Sequence, residues 1–170
     1  MLISFLIWLE NLEPFSDLRS SAYVYPIVLG LHLSAISLFG AMIVATDLRL
    51  LGWALRDNSI ADVIGRLRSP KRIGFVLAAT CGVLLFSSKA EEYYYNPFFQ
   101  TKILLFVLVA IHALVFRNSV YGRPTELDRT SEPPVRAKLA AGLSLFLWLG
   151  ILCAGRYIGY VEGRAGMHYK

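Results

Sequence analysis

Long stretches without a charged residue alternate along this chain with short charged ones. Ser20 to Thr46 carries no charge over 27 positions, Ile73 to Ser88 none over 16, Ile103 to Phe116 none over 14 and Leu139 to Gly155 none over 17. A membrane-spanning helix needs about 20 mostly apolar residues, and its ends tolerate Lys or Arg that snorkel to the interface. The first run reaches that length alone. The second and fourth reach it with Lys89 and Arg156 as snorkelling ends, and the third does so from Pro97 with Lys102 included. The pattern predicts an all-α integral membrane four-helix bundle in one domain, with spans at about 22–46, 72–88, 98–117 and 138–161.

The segments between these runs predict smaller elements. Residues 1–13 are apolar with Trp8 and then acidic, and they lack the basic start and small-residue cleavage site of a signal peptide. They read as an amphipathic helix lying on the membrane interface, ended at Pro14. Residues 54–71 place Ile60, Val63, Ile64 and Leu67 on one helical face and predict a short amphipathic helix stopped by Ser69-Pro70. Asn96-Pro97 is a turn and helix-start signal. The stretch 118–137, with Gly122, Pro124, Pro133 and Pro134, reads as an irregular loop. On span one, Gly30, Ser34, Ser37 and Ala41 form a small-residue stripe suited to close helix contact, within the chain or between copies in a homo-oligomer.

The net charge is +5, with an isoelectric point near 9.4 and a mean hydropathy of +0.54. Those basic residues belong to the positive-inside bias of a membrane protein and not to nucleic-acid binding. Of the 17 Lys and Arg, six lie between spans one and two and five between spans three and four, 6 + 5 = 11 on loops that share a side. The expected topology puts both loops in the cytoplasm and both termini outside. Cys81 and Cys153 fall at different depths of their spans, so no disulfide is expected. There is no CxxCH, CxxC or HExxH pattern.

The candidate chemistry lies inside the apolar runs, where an ionisable residue is costly and marks a functional site by default. His32 sits about 15 Å and His112 about 21 Å from the outer ends of spans one and three, at 1.5 Å per residue. Two imidazoles on different helices are what a b-type haem or another buried metal requires. The plainer alternative is a hydrogen bond from each to a neighbouring helix. Lys102 and Arg156 are cations in the outer third of spans, with no acid three or four positions away. They snorkel, or they neutralise an anion such as a haem propionate. Asp47 and Arg49 read as interfacial capping residues, Tyr93–Tyr95 as an interface belt or a lid over a flat ligand, and His168 as a solvated side chain.

The stretches LHLSAISLFGAMIVATDLRLLG and YYYNPFFQTKILLFVLVAIHALVF resemble a family of uncharacterised bacterial four-span membrane proteins, over about 22–160. The residues that carry it are His32, Phe39-Gly40, Asp47-Leu-Arg49-Leu-Leu-Gly52 and Asn96-Pro97 followed by Lys102. More distantly, the pairing of His32 with Lys102 resembles the membrane-bound four-helix protoporphyrinogen oxidase and copper-resistance membrane proteins. The oxidase likeness implies bound haem b and an inner (plasma) membrane location.

The expected function is a membrane-embedded b-type haem protein for electron transfer or redox sensing. His32 and His112, or His32 alone, would ligate the iron, Lys102 and Arg156 would hold the propionates, and the redox partner is unspecified. The alternatives are an oxidoreductase acting on a tetrapyrrole or quinone, a cofactor-free transporter and an assembly subunit. Against the transporter stand the short chain and the lack of an acidic residue within any span.

Overall fold

The computed structural model describes residues 1–122, 124–128 and 132–165, with side chains through residue 160. Every element among the described residues is helical. Two short helices, α1 (Leu2–Glu10) and α2 (Glu13–Ser20), lead into α3 (Val24–Leu51) and α4 (Ile60–Ser88). A short α5 (Ala90–Tyr95) connects to α6 (Pro97–Phe116), which runs into a π-helical turn (Arg117–Tyr121). The chain finishes with α7 (Pro124–Leu127) and α8 (Val135–Ala165). α3, α4, α6 extended by the π turn, and α8 are each long and apolar enough to cross a membrane. The protein is a multi-pass membrane protein built as an all-α four-helix bundle.

Two boundaries differ from expectation. α3 continues through Asp47 and Arg49, because nothing in that stretch breaks a helix. It stops at Gly52, whose left-handed backbone (φ 74°) lets Trp53 N–H donate to the Leu48 carbonyl. α4 is one helix from Ile60 to Ser88 with Pro70 inside it, where a separate helix ending at Ser69-Pro70 was expected. A proline forfeits one backbone hydrogen bond to the carbonyl four residues earlier. Here that carbonyl belongs to Arg66, near the membrane boundary, while Ile60, Val63 and Ile64 on the same turns are buried. Packing of that apolar face outweighs the lost bond.

α3 packs along α4, α6 along α8, and α3 along α8. The small residues that permit the close α3–α4 contact are Gly74, Ala78 and Gly82 on α4, four apart, and not the stripe on α3. A Cβ on Gly74 would lie 3.3 Å from Phe39 Cβ. Gly30, Ser34, Ser37 and Ala41 are exposed on the outside of the bundle. α4 and α6 have no comparable packing along their length among the described residues. They are joined at one end by a stack of Phe86, Tyr93 and Phe99, whose ring centroids lie 5.2–6.5 Å apart.

That end is the terminal face, and α1, α2 and α5 cover it. Glu10 accepts a hydrogen bond from Glu91 N–H at 3.1 Å, and Arg19 pairs with Glu10 at 3.6 Å and donates to the Ser88 carbonyl. α1 buries Leu6 and exposes Leu2, Phe5 and Trp8. Its polar residues are Ser4 and the terminal Glu10, so it is apolar over most of its surface. At the opposite, loop face, a core of Leu50, Ile60, Ile64, Val120, Leu127, Ala137, Ala140 and Ala141 closes the bundle. Asn96 caps α6 by accepting from Phe98 and Phe99 N–H, as its Asn-Pro sequence indicates.

The expected irregular loop after α6 is partly helical, and it has a structural task. Asp128 accepts from Ile60 N–H at 2.7 Å and Ala61 N–H at 2.9 Å, capping α4 from 67 and 68 residues away. Asp128→Ala is expected to cost about 1 kcal/mol, the usual worth of a helix cap. The midpoint of helix loss on heating in detergent, followed by circular dichroism, checks this.

Candidate functional site

His32 lies where α3 and α4 come closest. A Cβ on Gly82 would lie 3.0 Å from His32 Cε1, so any side chain there would push on the ring. His32 Nδ1 is 2.9 Å from the Ala78 carbonyl oxygen. A carbonyl only accepts, so Nδ1 carries the hydrogen and Nε2 keeps its lone pair. This is the arrangement in which a backbone oxygen orients an imidazole for use at its other nitrogen.

Lys102, six residues into α6, faces α8. A Cβ on Gly155 would lie 3.6 Å from Lys102 Nζ, and the ammonium stands 5.9 Å from the centre of the Phe106 ring. It is partly buried and forms no ion pair among the described residues. Its charge is within electrostatic reach of His32. The structure thus brings His32 and Lys102 to one level of the bundle, floored by Gly82 and Gly155.

It does not bring the other two predicted residues there. His112 is ten residues beyond Lys102 on α6, roughly 15 Å further along the axis. It is buried, Nε2–H donates to the Ala140 carbonyl at 2.9 Å, and Phe116 and Tyr121 flank its ring. Between the two levels Phe39 packs edge-on against Trp148, with centroids 5.4 Å apart. The two histidines therefore lie at different levels of the bundle. Arg156 is exposed on α8 over Tyr160, 5.1 Å from its ring centre. His168 lies outside the described residues. Tyr93 is buried in the aromatic stack, while Tyr94 and Tyr95 are exposed as an interface belt would be. Cys81 and Cys153 are both free.

The largest departure is Asp47. It is 2% exposed inside α3, so one span does contain an acid. On the neighbouring Thr46, Oγ1 accepts from Lys71 Nζ of α4 at 2.9 Å. Lys71 is within electrostatic reach of Asp47, and Ser144 of α8 lies near both Asp47 and Tyr121. Asp47 Oδ2 has no hydrogen-bond partner among the described residues. The signal in the sequence was an Asp and a Lys at the inner limits of two charge-free runs, which boundary counting treats as ends.

No group of three or more His, Cys, Asp or Glu side chains among the described residues could hold a metal ion. A family of unknown function, DUF6644, matches residues 20–161. The chain belongs to the DUF6644 family. The match takes in all four long helices and both polar layers, and leaves out α1 and nearly all of α2. No curated protein and no solved structure matches the chain. Membership of DUF6644 brings no activity with it, so function rests on the two layers themselves.

Proposed function

We propose that this protein is a membrane-embedded redox protein that holds a b-type haem at the His32–Lys102 level. The observation that carries this reading is the orientation of His32. Its Nδ1–H is committed to Ala78, and its Nε2 lone pair is available beside an ammonium that forms no ion pair among the described residues. A haem needs both, an imidazole nitrogen for iron and a cation for a propionate. His112 lies at another level, so His32 serves as the single protein ligand. When bound, the haem would supply one-electron chemistry with one coordination position open. Of the chain's own residues, Ala78 orients the imidazole, Gly82 leaves it space and Lys102 offsets negative charge.

The open position favours a second reading, an oxidoreductase acting on a tetrapyrrole or quinone drawn from the bilayer. The unpacked side between α4 and α6 is a route by which such a ligand could reach this level. The likeness to the four-helix protoporphyrinogen oxidase, carried by His32 and Lys102, supports the same reading. The excess of Lys and Arg at the loop face favours a cytoplasmic loop face and a plasma membrane of bacterial type.

The test is an absorption spectrum of detergent-purified protein, oxidised and then reduced, after expression with haem precursor. A Soret band with sharpened visible bands on reduction is expected, lost in His32→Ala and kept in His112→Ala. In Lys102→Met, haem retained with turnover lost would select the oxidoreductase reading. A folded, colourless protein that takes up no added haemin would overturn the proposal.

A further inference from the structure

We propose that Asp47 is the centre of a proton-binding site buried in the loop-side half of the bundle, separate from the His32 level. On α3 the two residues are 15 positions apart, roughly 22 Å. The Phe39–Trp148 layer lies between them.

Three observations carry the inference. First, a carboxyl group is held 2% exposed at a depth where an unneutralised carboxylate is costly. Second, that carboxyl is not consumed by structure, because Oδ2 has no partner among the described residues and the hydrogen bond that Lys71 makes there goes to Thr46 Oγ1. A purely structural ion pair would close that gap, since a buried pair is worth having only with good contact geometry. Third, the groups around Asp47 are hydroxyls and bases that can take or pass a proton. Ser144 stands between Asp47 and Tyr121, and the Tyr121 ring lies 6.2 Å from that of His112. Tyr121 reaches inward from a π-helical turn, a distortion that recurs at functional sites.

The titratable and charged groups facing Asp47 come from each packed element. α4 supplies Lys71 with Arg68 behind it and the π turn Tyr121; α8 contributes the Ser144 hydroxyl, and His112 of α6 lies beyond Tyr121, against its ring. Lys71 is only half-buried, so it links the carboxyl to water at the loop face. The step is balanced without a co-reactant. The carboxylate takes one proton from loop-face water to become the neutral acid, and returns it when the loop face becomes alkaline.

Infrared difference spectroscopy of the full chain in detergent, between acidic and alkaline buffer, tests this. A reversible protonated-carboxyl band is expected, shifted in D₂O, absent in Asp47→Asn and displaced in midpoint in Lys71→Gln. Ser144→Ala keeps every charge and should move the band's frequency by removing a neighbouring hydroxyl, which keeps the test decisive if Asp47→Asn does not fold. No titrating band in the wild type, the same band in Asp47→Asn, or a band indifferent to Ser144→Ala would each overturn the proposal.

Discussion

Lys71→Met is expected to destabilise the folded protein by about 1–3 kcal/mol, the cost of leaving buried polar groups without the partner that offsets their desolvation. Methionine keeps the length and apolar stem of the lysine, so packing along α4 is nearly conserved. What changes is electrostatic. Asp47 loses the cation that faces it from α4, and Thr46 Oγ1 loses its 2.9 Å donor. A carboxylate 2% exposed cannot turn to water. Its remaining recourse is to take a proton, which limits the cost.

The converse change should be milder. In Asp47→Asn the half-buried Lys71 can carry its ammonium along its flexible stem toward the loop face, where Arg68 and water lie. The double variant Asp47→Asn with Lys71→Met should therefore recover most of the loss. Unfolding by SDS in mixed micelles gives the four corners of this cycle. A coupling near zero would mean that Asp47 and Lys71 do not sense each other in the folded protein.

The four spans were legible because lipid demands long apolar helices, and that demand is written as runs without charge. Their ends were less legible. Asp47 and Lys71 were read as boundaries because Asp47 is the first charge beyond one run and Lys71 stands beside Arg72, the first charge beyond another. Yet a helix stops where its backbone is stopped, at Gly52 for α3. Pro70 read as a stop, although a single missing bond near a membrane boundary is outweighed by the buried face of Ile60, Val63 and Ile64. His32 and Lys102 were visible as ionisable groups in apolar surroundings. Their meeting at one level, and the absence of His112 from it, depend on helix register and rotation that periodicity does not supply. The same holds for small residues. The α3 stripe and the Gly74–Ala78–Gly82 series look alike on paper, and only the packing shows that the second is the one in use.

Gly82→Leu is expected to unseat His32 and to abolish whatever binds at its Nε2. The first atom of any side chain there would stand 3.0 Å from the imidazole, tighter than nine in ten real Cβ contacts, and the rest of a leucine has to go beyond it. The ring must then turn away from α4, which breaks the bond to the Ala78 carbonyl, or the two helices must part where Gly74 and Gly82 bring them together. Overpacking of this kind costs about 1–3 kcal/mol. Replacing a mid-helix glycine also returns up to about 1 kcal/mol of backbone propensity, so Gly82→Ala is the gentler test and leucine the decisive one. Gly142→Leu is the control, since no atom lies within 4 Å of its built Cβ. It should leave stability within about 0.5 kcal/mol and leave the bound chromophore intact. Combining Gly82→Leu with His32→Ala separates the two effects. Removing the ring makes room for the leucine, so stability should return while binding stays lost. If Gly82→Leu alone keeps full binding with an unchanged spectrum, His32 Nε2 is not the group that holds the ligand.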